Sequence, residues 1–388
     1  MKKKPLIYLD YSATTPIAEP VLKAMQPYFS RDFGNPSSIH QFGQKAEAAL
    51  ENARDKIADF LGCNSRELVF TSGGTESDNL ALRGVALARR KEYGTNHILI
   101  SPVEHHAVSS TAQQLSGLFG FELEYLEVDK YGIVSPEMLR SKIRADTALV
   151  SIIYANNEIG SIHSIPELAK ICKQYSVPFH SDAVQATAYL PLKVNELGLD
   201  LLSIGAHKFY GPKGIGALYI KQGTEIFPIQ TGGGHEWGMR SGTPNVPYIV
   251  GMAEAVKFVQ SHQSEWSEHL KKLRDELIRF VLEKIPDAQL TGHPTRRLPN
   301  HASFVFEGVD SQKLLMLLDL EGFACSSGSA CKTGNPSPSD VLIAIGFSPK
   351  LALSSLRVTL GKDTTEQEID QFLFSLEKVI TKIRSQKS

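Results

Sequence analysis

From about residue 45 to residue 220, short apolar runs alternate with amphipathic stretches. Leu68-Val69-Phe70, His97-Ile98-Leu99-Ile100, Ala148-Leu149-Val150-Ser151-Ile152-Ile153 and Leu201-Leu202-Ser203-Ile204 predict strands. None shows clean period-two alternation, as expected of parallel strands covered on both faces. Between them, residues 76–90, 137–143 and 166–175 predict helices. This alternation implies an α/β domain with a mostly parallel sheet, in which ligands gather beyond the strand C-termini. After Gly232-Gly233-Gly234 the character changes. Residues 245–261 predict one long helix and 266–284 another; a strand at 302–306 follows a Pro299-Asn300 turn, and 365–384 is again helical. The expected organisation is a large α/β domain at 15–261, with 1–14 and 262–388 forming a smaller α+β domain.

Composition narrows the classes. The 388 residues can bury a substantial core, and 42% hydrophobic with 21% charged residues is ordinary for a soluble enzyme. A net charge of -1 argues against a nucleic-acid partner, although local positive charge would suffice for a small anion. No apolar stretch reaches membrane-spanning length. Lys2-Lys3-Lys4 is followed by Asp10, Tyr11, Ser12 and Thr14 rather than by an apolar run, so it reads as a solvated tail and the expected location is cytoplasmic. The four cysteines, Cys63, Cys172, Cys325 and Cys331, include no C-x-x-C pair. That argues against a zinc site, a thioredoxin-like centre or a disulfide framework, and no metal is expected.

Candidate chemistry falls at three strand ends. Thr71-Ser72-Gly73-Gly74-Thr75-Glu76-Ser77 leads from a strand into a helix, whose free N–H groups and dipole suit a phosphate. A plain connection capped by Thr75 would look the same. In His180-Ser181-Asp182-Ala183-Val184-Gln185, Asp182 ends a strand-like run, where a carboxylate can hold a proton on a pyridine nitrogen or simply cap a turn. Lys208 lies just past an apolar strand in a segment tightened by Gly211, Pro212 and Gly214. Burial and nearby cations there lower an amine's pKa and make it nucleophilic, and His207 beside it can donate to a phosphate.

The segment from Phe323 to Pro338 is small, polar and rich in turn formers, so it predicts a loop that exposes a thiol. Cys331 and Cys325 compete for that role. Cys325, beside Phe323-Ala324, is expected to end a strand, and a Cys325–Cys331 disulfide has no redox motif behind it. Cys63 and Cys172 are expected to pack.

In order and spacing these segments resemble the class V aminotransferase family of fold-type I pyridoxal-phosphate enzymes, and more narrowly the cysteine desulfurases of the NifS/IscS type. The similarity extends through Tyr8-Leu9-Asp10-Tyr11-Ser12-Ala13-Thr14-Thr15-Pro16, Gly34-Asn35-Pro36-Ser37-Ser38, Glu104-His105-His106-Ala107-Val108, Asn156-Asn157-Glu158-Ile159-Gly160 and Arg240-Ser241-Gly242-Thr243. The resemblance implies pyridoxal 5'-phosphate held covalently by Lys208. Asp182 would pair with its ring nitrogen, Gln185 with its ring hydroxyl, and His105 would stack on its face. Gly74, Thr75 and His207 would hold the phosphate, and Thr243 would reach the phosphate of a neighbouring subunit in a homodimer. Arg357, assisted by Asn35 and Asn157, would bind the carboxylate of L-cysteine. Cys331, in Ser-Ser-Gly-Ser-Ala-Cys, would take the sulfur as a persulfide, with His105 relaying a proton and L-alanine leaving. A sulfur-acceptor protein, such as an iron–sulfur scaffold or a sulfur carrier, would follow; iron–sulfur assembly, tRNA thiolation and cofactor synthesis all stay open.

One departure is Gly205, where many relatives carry a phosphate-donating serine two residues before the histidine. It bears on cofactor affinity rather than on the reaction. The alternatives are a selenocysteine lyase, which the same site would suit, another class V aminotransferase, which needs no loop cysteine, and a sulfur-transfer scaffold without turnover.

Overall fold

The computed structural model describes residues 6–328 and 337–386. Its strands are β1 (Ile7–Tyr8), β2 (Leu68–Thr71), β3 (His97–Ile100), β4 (Glu122–Tyr125), β5 (Thr147–Ser151), β6 (Phe179–Asp182), β7 (Leu201–Gly205), β8 (Gly216–Ile220), β9 (Ala288–Leu290), β10 (His301–Phe306), β11 (Phe323–Ala324) and β12 (Ser355–Thr359). Seven of them form one sheet in the order β2-β8-β7-β6-β5-β3-β4. The pairings from β4 across to β7 are parallel, and β8 runs antiparallel to both β7 and β2.

The unbroken apolar runs are explained by burial on both faces. Leu68, Phe70, Leu99, Val150, Leu202, Ile204 and Tyr219 point into one core, while Val69, Ile98, Ile100, Ala148, Leu201 and Leu218 point into the other. Side chains alternate between faces, yet most positions are apolar on both because both faces are dry. The Gly74–Tyr93 and His106–Phe119 helices supply Leu80, Leu82, Val85, Val108 and Leu115 to the second core.

Beyond this sheet, β10 pairs antiparallel with β9 and β12, and β1 runs parallel to β11. Bridges from Asp10 to Thr359 and from Ser326 to Arg357 tie these pieces together, so the start of the chain packs on its C-terminal part. The closing helix, Glu366–Ser385, starts with a capping box made by Thr365 and Glu368.

The two helices expected at 245–261 and 266–284 are a single helix, Val246–Lys284, of 39 residues. No glycine or proline interrupts residues 261–265, and Trp266 stacks on His262 with ring centroids 5.1 Å apart. That contact carries the helix through a stretch without apolar periodicity. It also runs across the expected boundary between residues 261 and 262. Cys172 is buried in the Ile165–Gln174 helix, and Cys63 lies just past the Gln41–Leu61 helix. Among the described residues no helix is long and apolar enough to cross a membrane.

Candidate active site

Asp182 at the end of β6, and the segments that follow β2, β5 and β7, line a cavity of about 330 Å³. Gly74, Thr75, His105, Asn157, Asp182, Gln185, His207, Lys208 and Arg357 all line it. Nine of the predicted site residues, drawn from segments far apart in sequence, therefore meet at one place.

Lys208 closes the Ala206–Lys208 turn that follows β7. Its Nζ donates to the carbonyls of Ser12 at 2.5 Å and Ala13 at 2.8 Å. Burial first, then the Arg357 guanidinium, push its ammonium down to about 8, against the pull of Asp10 and Asp182. Asp182, at the end of β6, is 5% exposed and accepts the Val184 N–H at 2.8 Å. Burial raises its carboxyl, while His105, the Val184 N–H and Lys208 favour the charge.

His105 is the N-cap of the His106–Phe119 helix, and its Nδ1 accepts the Ala107 N–H at 3.1 Å. Accepting there places the proton of the neutral ring on Nε2. Desolvation pushes its pKa down, so the neutral form is favoured. Gln185 is fixed by donation from Nε2 to the Ser12 carbonyl at 2.8 Å.

The Gly74–Tyr93 helix begins without a side-chain cap. Its first-turn N–H groups have no partner one turn back, and the first residues face the cavity. His207 stands beside them with Nδ1 3.2 Å from the Thr14 hydroxyl, and burial pushes it down to about 4, which makes it neutral. Gly205 lies against this turn: a Cβ there would sit 3.3 Å from the Gly74 nitrogen. The position at which the resemblance leads one to expect a hydroxyl thus adjoins the uncapped helix start.

Arg357, in β12 and 7% exposed, donates to the Asn157 carbonyl at 3.0 Å and to Asp10 at 2.8 Å. Its Nε is buried without a partner among the described residues. Asn35 and Thr243 are exposed and do not line the cavity. Cys331 lies outside the described residues. Cys325 follows β11, as expected, and burial pushes its thiol up, away from reactivity. Just before and after the undescribed segment, Gly328 packs on Glu158, and the Ser339 hydroxyl donates to Glu158 Oε2 at 2.5 Å.

Three site features escaped sequence reasoning. The Ser12 and Ala13 carbonyls act through backbone, which residue type does not encode. Asp78 lines the cavity and is 1% exposed; its place four residues after Gly74, on the same helical face, was the available signal. Glu104, 6% exposed, accepts the Ile153 N–H at 2.7 Å, and burial pushes its carboxyl up to about 8.

These groups fit pyridoxal phosphate. An uncapped helix start with two neighbouring hydroxyl or imidazole donors suits its phosphate, a buried acid suits its pyridine nitrogen, and an amine of lowered pKa suits its aldehyde. The aminotransferase class-V family model matches residues 7–372, and the chain belongs to that family. Within it, the chain falls among the cysteine desulfurases. It is 49% identical to the cysteine desulfurase IscS of Dictyoglomus turgidum, over 98% of this chain and 95% of that protein. A solved NifS-like protein superposes with a TM-score of 0.90 at 37% identity, covering 97% of this chain and 99% of its own. SspA, solved in complex with cysteine, matches with a TM-score of 0.80 at 34% identity over 92% of this chain and 99% of that one.

Proposed function

We propose that this chain is a pyridoxal-phosphate-dependent cysteine desulfurase that converts L-cysteine to L-alanine and holds the sulfur as a persulfide on Cys331. The observation that carries the reading is the convergence of Lys208, Asp182, His105 and an uncapped helix start on one cavity. When bound, pyridoxal phosphate supplies an aldehyde for amine capture and a ring that withdraws charge from the substrate α-carbon. Asp182 would hold the ring-nitrogen proton, Gln185 would meet the ring hydroxyl, His105 would stack on the ring, and Gly74, Thr75 and His207 would hold the phosphate.

Arg357 binds the substrate carboxylate, which its planar fork suits, with Asn157 beside it. Lys208, with its lowered pKa, is a base at the α-carbon. His105 keeps its Nε2 proton for exchange near the sulfur because Nδ1 is committed to the helix cap. The Cys331 thiolate forms an S–S bond as the substrate Cβ–S bond breaks. The three-carbon remainder takes up protons and leaves as alanine, so thiol plus cysteine balances persulfide plus alanine with no oxidant. The persulfide then passes to an acceptor protein. Asn35 and Thr243, both exposed, serve the site from a second copy in a homodimer, Thr243 at the partner's phosphate. The large unit at 15–261 carries the cofactor, and the unit made by 1–14 and 262–388 carries the cysteine.

Single-turnover assays test the reading. Cys331→Ser retains the cofactor absorbance and loses persulfide formation from cysteine, while Cys325→Ser keeps both. If Cys325→Ser is the dead variant, the nucleophile is misassigned.

A further inference from the structure

β2 ends the seven-stranded sheet, and its outer edge is met by side chains. Arg54 Nη1 donates to the Leu68 carbonyl at 2.8 Å, and Glu236 Oε2 accepts the Phe70 N–H at 2.9 Å. One residue of a neighbouring parallel strand would satisfy those same two groups. Arg54 and Glu236 also pair with each other through two hydrogen bonds of 2.9 and 2.8 Å, and their side chains are 3% and 5% exposed. Glu51 adds a contact to Arg54 Nε at 3.2 Å. A bidentate ion pair thus occupies a strand edge that would otherwise be open.

The same pair holds a costly piece of backbone. Glu236 and Trp237 have φ of 49° and 54°, two successive side-chain-bearing residues in the left-handed region. Such conformations persist only where surrounding contacts enforce them. Here the contacts are the Arg54 pair, the Phe70 N–H, and the Arg54 guanidinium over the Phe70 and Trp237 rings, 4.7 and 4.5 Å from their centroids.

The root of the same loop reaches the cavity. Gln230 and Arg240 form a parallel bridge, and Gln230 Nε2 donates to the Ser241 carbonyl at 2.7 Å, so residues 230–241 close on themselves. Arg240 Nε donates to Glu76 Oε1 at 2.8 Å. Glu76 Oε2 in turn accepts the Ser72 N–H at 2.7 Å, which fixes the turn leading into the Gly74–Tyr93 helix. Gly74 and Thr75 of that helix start line the cavity. The loop is therefore fastened twice, at its tip to the sheet edge and at its root to the helix start. With the tip free, the loop would turn about its root, and Arg240 would lose its fixed approach to Glu76.

We propose that Arg54 and Glu236 are positioning residues: they hold the 230–241 loop on the edge of β2 and, through Arg240 and Glu76, keep the uncapped helix start in place for the cofactor phosphate. Neither residue lines the cavity, so both act only through the loop. The consequence for the phosphate rests on the pyridoxal-phosphate reading; the fastening of the loop does not.

Hydrogen exchange of the full chain and its binding of two aldehydes test this. In Glu236→Ala the Phe70 N–H and residues 230–241 should exchange roughly tenfold or more faster than in wild type. Affinity for pyridoxal phosphate, followed by visible absorbance, should fall about tenfold, while that for pyridoxal, which has no phosphate, stays within about twofold. Arg240→Met leaves the edge pair intact and should show the same selective loss, with no further loss in the double variant. Glu236→Gln keeps an acceptor for the Phe70 N–H and should fall between wild type and Glu236→Ala. A merely structural role predicts equal losses for both aldehydes; that result, additive losses in the double variant, or unchanged exchange overturns the proposal. Should Glu236→Ala not fold, Glu236→Gln and Arg240→Met carry the comparison, and an undiminished preference for pyridoxal phosphate in both overturns it equally. Wild type without that preference overturns the phosphate reading and this consequence together, whereas a preference kept in Glu236→Ala overturns the proposal alone.

Discussion

Glu104→Gln should make this protein more stable, and by an amount that depends on pH. Glu104 is 6% exposed, and burial lifts its carboxyl from 4.5 to about 8. Between those two values the folded state binds a proton that the unfolded state does not. Stability therefore falls as pH rises through this window, by about 1.36 kcal/mol per unit. At pH 7, about 2.5 units above the unfolded value, the accumulated cost is on the order of 3 kcal/mol. Glutamine keeps the Oε1 that accepts the Ile153 N–H and has no proton to bind. Urea unfolding at pH 5, 6, 7 and 8 measures the difference, read from midpoints at unchanged slope. The variant's advantage should be on the order of 3 kcal/mol at pH 7 and shrink to about 0.8 kcal/mol at pH 5. A variant less stable at pH 7, or an advantage constant across the series, would refute the argument.

Two further outcomes follow from the site. With Lys208 at about 8, roughly a tenth of the amine is neutral at pH 7, about 300 times the fraction at an ordinary lysine pKa. Capture of pyridoxal phosphate by the unloaded protein, followed by absorbance, should rise tenfold per pH unit and level off near pH 8; a rise continuing through pH 10 contradicts it. Arg357→Met should move that break upward, since Arg357 helps hold the amine down. A Cβ at residue 74 would lie 2.6 Å from Val184 Cγ2, so Gly74→Ala should cost about 1–3 kcal/mol and weaken cofactor retention. The double variant with Val184→Ala should recover most of both, and failure to recover would place the fault in the helix start rather than in the clash.

The extent to which this architecture is legible in the sequence depends on what each feature is made of. Strands buried on both faces announce themselves as apolar runs, and those at 68–71, 97–100, 147–151 and 201–205 stand where the runs are. Continuity of the Val246–Lys284 helix is not written as periodicity. It comes from His262, whose Nδ1 lies 2.8 Å from the Phe258 carbonyl while the ring stacks on Trp266. A polar stretch without a breaker is equally compatible with a loop until tertiary contact decides. The same divide runs through the site. Lys208 and Asp182 were recognisable because their chemistry belongs to their side chains and their places to strand ends, whereas His105 came only through the family resemblance. Asp78 looked like one more polar residue near a helix start. Its buried place on the cavity wall, with Oδ1 3.5 Å from His180 Nε2, comes from tertiary packing, and a single sequence carries no trace of that company. A buried acid is defined by its neighbours rather than by its own type. Carboxyls met at such positions after a glycine turn into a helix should therefore be tested against the opposite strand ends before being assigned to solvent.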